Sequence, residues 1–265
     1  MADLYATLWL ITGAYAAPLG YYGDAAGCQS VADTLSFAPP AQVVCVPSDV
    51  AMPLTFTYGQ QPIVAAPQIA GSPPAAAADI STVSLEGEPF IGDADAPVVM
   101  AYWFDYQCPC PFCKQAEELV FPQLIAEYVE TGKVKIVFKD FQFLGPDSQA
   151  AGLAAQAVWE TAPDKFAEWH KGVFDRQDDE NAGWGKMEDL MSLIESIDGI
   201  DASTVESLVT SQAVAYQQEM QVDAQEGYAV GVGGTPSFLV GTQMLVGVQP
   251  YQQFKAVIDG ELSGG

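Results

Sequence analysis

Apolar and polar positions follow several rhythms along the chain, and each predicts an element. After Ala96-Pro97, the residues Val98–Phe104 (VVMAYWF) form an unbroken apolar run, the pattern of a strand buried on both faces. From Lys114 to Glu130 the apolar residues Ala116, Leu119, Val120, Leu124, Ile125, Tyr128 and Val129 recur at intervals of three and four. That spacing predicts an amphipathic helix, kinked at Pro122 and ended by Thr131-Gly132. Lys133–Phe141 (KVKIVFKDF) alternates charged and apolar residues and predicts a second strand, so strand, helix and strand imply a right-handed parallel unit. Residues 147–230 predict helices over Ser148–Trp159, Asp164–Arg176, Met187–Ile197 and Ser203–Gly227, the last opened by a Ser203/Glu206 capping box. Gly231-Val232-Gly233-Gly234-Thr235-Pro236 stops the helical pattern. Ser237–Val240 and Met244–Val248 then predict a hairpin across Gly241-Thr242-Gln243, and Tyr251–Ile258 a closing helix. The fold class is α/β, with a helical insertion over about 147–230.

The first 80 residues follow no such pattern. Leu4 to Gly23 is an uncharged run of 20 residues, just long enough to cross a bilayer as a helix at about 1.5 Å per residue. It contains Gly13, Pro18 and Gly20 and lacks the basic start of a secretory signal. Ala26-Gly27-Cys28 resembles the small-small-Cys end of a lipoprotein signal, which would make Cys28 a lipidated tether. The competing expectation is a Cys28–Cys45 disulfide, or a buried thiol, in a small accessory module. Beyond Cys28, Gln42–Val46 and Leu54–Tyr58 are short β-prone pieces between prolines, and residues 71–78 (GSPPAAAA) read as a linker. The boundary therefore falls near residue 80, giving an N-terminal segment 1–80 and a folded domain 81–265.

Composition narrows the function. Hydrophobic residues make up 49% of the 265 positions, enough for a packed core. Nine basic residues against 34 acidic ones give a net charge of −25, which excludes a phosphate-neutralising surface and hence nucleic acid as a partner. The first basic residue is Lys114, after ten acids and no Lys or Arg. So acidic a surface suits either a salt-rich setting or an acidic secreted protein.

The chemistry concentrates in Cys108-Pro109-Cys110-Pro111-Phe112-Cys113, where the buried strand meets the helix. A thiolate at a helix start is stabilised by unpaired backbone N–H groups and the helix dipole. Cys110 and Cys113 lie one helical turn apart and can close or reopen a short disulfide through a mixed disulfide, with Cys110 as nucleophile and Cys113 as resolving thiol. Metal binding is the rival. A structural zinc site takes four ligands, and the single histidine, His170, is about 60 residues away, so neither a metal nor another cofactor is expected. A second rival is a non-catalytic module holding a metal or client through Cys108, Cys110 and Cys113.

Gly92-Asp93-Ala94-Asp95-Ala96-Pro97, the buried strand, Phe104-Asp105-Tyr106-Gln107, Cys-Pro-Phe-Cys-Lys and Gly234-Thr235-Pro236-Ser237-Phe238 together resemble the DsbA-like thiol–disulfide oxidoreductases over residues 83–260. The resemblance implies a thioredoxin fold with a helical insertion, and a redox pair matching Cys110 and Cys113. It also implies a cis-proline matching Pro236, preceded by Thr235 and facing the cysteines. Substrate peptide would pair with that backbone as an added strand, beside Phe112. Protein thiols and disulfides are the implied substrates, and a separate redox partner recycles the pair, in an extracytoplasmic setting. A cytosolic, hypersaline setting is the alternative. This chain departs from the family run by an inserted Cys-Pro. Either Cys108 or Cys110 is the nucleophile, and the retained spacing favours Cys110. Cys108 is then a third redox sulfur, bonded to Cys110 or Cys113, or a spectator.

Other polar residues are assigned blander roles. His170 is expected in helix packing or at the surface, and Asp140 as a solvated strand-end carboxylate rather than a proton carrier for Cys113. Trp103, Trp159, Trp169 and Trp184 read as packing residues. With a net charge of −25, added salt should lower the pKa of the Cys110 thiol.

Overall fold

A computed structural model of the chain describes the strand backbones at 5–12, 15–22 and 41–48, together with residues 78–108 and 112–264. The chain divides into two compact units, Met1–Ala75 and Ala76–Gly265.

In the first unit β1 (Tyr5–Thr12) pairs antiparallel with β2 (Tyr15–Tyr22) and with β3 (Ala41–Ser48), in the order β2-β1-β3. The uncharged run that could have formed one bilayer-length helix is therefore divided between two strands, with a register shift between Leu8 and Trp9. Glycine at 13 and 20 and proline at 18 disfavour a continuous helix, whereas the aromatic and β-branched residues among them suit strands. Among the described residues no helix is long and apolar enough to cross a membrane. Cys45 lies on β3 opposite Leu8; Cys28, the 54–58 piece and the linker lie outside the described residues.

The second unit is built on a mixed five-stranded sheet. Its strands are β4 (Phe90–Ile91), β5 (Val98–Phe104), β6 (Val134–Asp140), β7 (Ser237–Val240) and β8 (Gln243–Val246), in the order β4-β6-β5-β7-β8. The apolar run 98–104 is the central strand. It lies parallel to β6, with Val98 opposite Val134, and antiparallel to β7, with Trp103 opposite Ser237. Because strand side chains alternate, Met100, Tyr102 and Phe104 enter the larger core. Ala101 and Trp103 enter a second one with Phe141, Val230, Val232 and Leu239.

Between β5 and β6 runs α1, a helical segment over 112–129 in which π-turns at Ala116–Val120 and Ile125–Val129 alternate with α-turns. The expected disturbance at Pro122 takes this form: proline has no N–H to donate, and the wider turn before it absorbs the missing bond. Gly132, at φ +69°, ends the segment.

The insertion consists of α2 (Pro146–Thr161), α3 (Phe166–Arg176), α4 (Met187–Glu195), α5 (Ala202–Ser211) and α6 (Ala213–Val230). The single helix expected over 203–227 is two helices, interrupted at Gln212. The cap of α5 is Asp201, whose carboxylate accepts from the N–H groups of Ser203 and Thr204, rather than Ser203 itself. A carboxylate at that position also complements the helix dipole. Helix α7 (Tyr251–Gly264) closes the chain.

The alternation in 133–141 is broken by Lys139, which is fully buried. Its ammonium lies 2.7 Å from Glu88, 2.5 Å from Asp223 and 3.0 Å from Glu226, and donates to Ser84 O. Three carboxylates converging from the 84–88 segment and α6 allow a charge to sit where an apolar residue would otherwise be needed.

Candidate active site

The site forms where the end of β5 lies beside the start of β7. β5 runs up into Asp105-Tyr106-Gln107-Cys108, and antiparallel β7 begins beside it, so the segment just before β7 lands next to Cys108. That segment is Thr235-Pro236, joined by a cis peptide bond. The Cys108 thiol donates to Thr235 O at 3.6 Å. From the other side the backbone N–H of Cys113, in the first turn of α1, donates to Cys108 Sγ at 3.3 Å. Cys108, Cys113 and Thr235 are thus brought together from a strand end, a helix start and a strand start. Both cysteines are buried and free.

Their environments drive them apart. Hydrogen bonding from Cys113 lowers the Cys108 pKa, opposed by burial and helped by Thr235 and the Cys113 N–H. Burial pushes Cys113 well up, and its bond to Cys108 and that sulfur's charge push it further. One thiol is poised to ionise and the other to hold its proton, the asymmetry that an attacking and a resolving sulfur need.

Cys110 lies outside the described residues, as do Cys28 and the prolines at 109 and 111. Phe112 is half-buried against the core at the start of α1. Pro236 O accepts from Gly247 N at 2.8 Å, which ties the turn to the strand after it.

Two further residues support the site: Asp105, in the run just before the cysteines, and Gln177, which carried no sequence signal. Asp105, fully buried, accepts from Gln107 N (2.7 Å), Phe143 N (2.8 Å), Leu144 N (3.1 Å) and Ser148 Oγ (2.7 Å). It staples the cysteine loop to the start of the insertion, and burial nevertheless raises its pKa. Gln177, just past α3, donates through Nε2 to Tyr106 O (2.7 Å) and Cys108 O (3.0 Å). Its own carbonyl accepts from Lys114 Nζ at 3.1 Å. Gln177, 69 residues from Cys108, shows no spacing that would link it to the thiols.

One expectation is corrected and one is extended. Asp140 is buried, not solvated, and accepts from Gln142 (3.0 Å) and Gln156 (2.7 Å). His170 is buried and does more than pack. Its Nδ1 lies 3.0 Å from Tyr106 Oη and its Nε2 3.1 Å from Glu117 Oε1. Among the described residues no cluster of three or more His, Cys, Asp or Glu side chains is arranged to hold a metal ion.

A thioredoxin-type sheet, two thiols at the junction of central strand and helix, and a cis-proline segment against them define a thiol–disulfide exchange protein. Comparison with known proteins agrees. A family model described as Thioredoxin matches residues 84–260, so the chain belongs to the thioredoxin family, among its DsbA-like thiol–disulfide oxidoreductases. The chain is similar to disulfide bond formation protein D of Bacillus subtilis (strain 168), 30% identical over 181 residues, covering 68% of this chain and 80% of that one. The crystal structure of oxidised BdbD from Bacillus subtilis superposes with a TM-score of 0.62 at 29% identity, covering 68% of this chain and 96% of that one. The thiol-disulfide exchange protein α-DsbA2 of Wolbachia pipientis shares the fold, with a TM-score of 0.57 at 24% identity, covering 65% and 86%.

Proposed function

We propose that the chain donates disulfides to exported proteins in an extracytoplasmic compartment, with residues 81–265 as the catalytic domain and Cys108 and Cys113 as the exchanging pair. The observation that carries this is the position of Cys108 Sγ, between the Cys113 N–H and Thr235 O, with a lowered pKa beside a thiol whose pKa is raised. In the oxidised pair a substrate thiolate attacks Cys108 Sγ, the Cys108–Cys113 bond breaks, and Cys113 leaves as a thiolate that takes up a proton. A second substrate thiolate then attacks the substrate sulfur of the mixed disulfide and releases Cys108. Two electrons pass from the substrate dithiol to the pair, which a separate redox partner reoxidises. The substrate backbone pairs with Thr235-Pro236, and Phe112 borders the same edge.

Cys110 has the spacing that first pointed to it as nucleophile. We propose Cys108 in that role instead, with Cys110 as a third thiol. The relative's name, disulfide bond formation protein, supports oxidation as the direction. The test is oxidative refolding of a reduced client by Cys108→Ser, Cys110→Ser and Cys113→Ala. Cys108→Ser should abolish activity, Cys110→Ser should retain most of it, and Cys113→Ala should accumulate mixed disulfides. Loss in Cys110→Ser with retention in Cys108→Ser would return the nucleophile to Cys110. Activity in all three would end the exchange mechanism.

A further inference from the structure

The buried ionic cluster around Lys139 takes no part in the exchange steps above, yet it lies two strands away from the cis-proline turn on the same sheet. We propose that Lys139 is a positioning residue for Thr235-Pro236: by gathering the carboxylates of Glu88, Asp223 and Glu226 onto the end of β6, it sets where α6 delivers that turn beside Cys108. This rests on Cys108 being the attacked thiol and on the client backbone pairing with the turn.

The sheet register brings the cluster into line with the turn. Lys139 on β6 is opposite Trp103 on β5, and Trp103 is opposite Ser237 on β7, the residue after Pro236. Paired residues on neighbouring strands share a face, so ammonium, indole and strand start form one row. Helix α6 is fastened to that row at two levels. Asp223 meets Lys139 Nζ through Oδ1 at 2.5 Å and accepts from Asp140 N through Oδ2 at 2.7 Å, while its backbone oxygen accepts from Trp103 Nε1 at 3.0 Å. One turn on, Gly227 lies against the indole, where a Cβ would stand 2.9 Å from Nε1, and its oxygen accepts from Val232 N at 2.8 Å. The left-handed cap Gly231 follows, and Thr235 comes four residues later. Between them Gly233 and Gly234 have open space where a Cβ would stand, and Ser237 Oγ donates to Gly234 O at 2.7 Å. The turn is thus placed by the helix end on one side and the strand start on the other, with no packing from its glycines.

The arrangement depends on the cation. Burying an ammonium with its partners brings little net stability over an apolar side chain of similar size, so what Lys139 contributes is geometry. Its three carboxylates come from two segments, and Ser84 N also donates to Glu226 Oε1 at 3.2 Å. The ammonium therefore draws α6 and the 84–88 segment onto the same strand end. Glu88 and Glu160 also act on Glu219, four residues before Asp223 on α6. Without the ammonium these anions repel one another, α6 moves away from β6, and the turn that follows it moves too. A displacement of about 1 Å suffices to slow a reaction that needs aligned partners by up to about a hundredfold.

The test compares the oxidised full chain reacting with a reduced two-cysteine peptide, which pairs with the turn, and with dithiothreitol, which has no backbone to pair. Acid quenching and thiol alkylation follow both reactions, in conditions where urea titration shows each variant folded. Lys139→Met should raise the peptide's KM about fivefold or more and lower the ratio of peptide rate to dithiothreitol rate by a similar factor. Trp103→Phe removes the bond to Asp223 O and keeps an aromatic ring; it should lower the ratio in the same direction, and it decides the matter if Lys139→Met does not fold. Val205→Ala, a buried change on α5 away from the row, is the destabilised control and should keep the parent ratio. An unchanged ratio in the deciding variant would overturn the proposal. So would an equal fall in Val205→Ala, because the ratio would then follow stability and not the turn. If both reactions survive Cys108→Ser, the assignment of Cys108 fails instead, and the proposal with it.

Discussion

Asp140→Asn should stabilise the chain near neutral pH and leave it almost unchanged near pH 4. Asp140 ends β6 in full burial, and burial is the largest influence on its carboxyl, pushing it up to about 6 against the opposing effects of Gln142, Gln156 and Lys139. An unfolded aspartate titrates near 3.9. The folded chain thus holds this proton more tightly than the unfolded chain, and ionising Asp140 works against folding. That penalty is absent below about pH 4, grows as pH rises toward 6, and is complete above about 7. A pKa difference of about 2, at about 1.4 kcal/mol each, makes it about 3 kcal/mol. Asparagine carries no charge; it keeps its carbonyl as acceptor toward Gln142, whose own Oε1 is held by Tyr106 N and Ser148 Oγ, and offers its amide to Gln156, which can turn over. The variant should therefore gain up to about 3 kcal/mol at pH 7.5 and within about 0.5 kcal/mol of nothing at pH 4. Urea denaturation followed by tryptophan fluorescence, in steps between these pH values, measures the difference. A gap between parent and variant that stays constant across that range would refute the reasoning.

Other expected outcomes come from the packing. Lys139→Met leaves the Glu88, Asp223 and Glu226 carboxylates facing one another without their cation, and should destabilise by about 3–5 kcal/mol in urea titrations. Gly227→Ala would place a Cβ 2.9 Å from Trp103 Nε1, where the indole is held by its bond to Asp223 O. It should lose about 1–3 kcal/mol and alter the near-ultraviolet circular dichroism. Gln177→Ala frees the carbonyls of Tyr106 and Cys108, and should slow thiol exchange several-fold with a loss of only about 1–2 kcal/mol in stability, measured by client oxidation alongside thermal melting. Raising salt from dilute buffer to molar should lower the pKa of the reactive thiol, followed by thiolate absorbance, because a net charge of −25 opposes a further anion when screening is weak.

The periodic parts of the fold were legible without coordinates. Val98–Phe104 declared itself a central strand because both of its faces are apolar, and the boundaries of β7 followed from Pro236 and Gly241. Helix ends were less legible. Ser203–Gly227 looked continuous because nothing in the local pattern marks Gln212, where tertiary packing turns the chain. Asp140 looked solvated because charge at a strand end ordinarily means water, and nothing in the local alternation marked Lys139 as buried. Their partners come from α6, α2 and the 84–88 segment, far away in sequence.

The same division runs through the site. Local order placed a cysteine cluster at the junction of strand and helix, and a Thr-Pro turn ahead of a strand, because those features depend on neighbours along the chain. Which sulfur faces Cys113 N–H and Thr235 O was decided by the antiparallel pairing of β5 and β7, which sequence spacing does not encode. The buried partners of the site, Asp105 with Ser148, Gln177 with the cysteine loop and His170 with Glu117, likewise exist only once the insertion folds back on the sheet. Sequence specifies the reactive groups and the elements that carry them; contacts between residues tens of positions apart, in a dry interior where one hydrogen bond changes a pKa, specify what each group does.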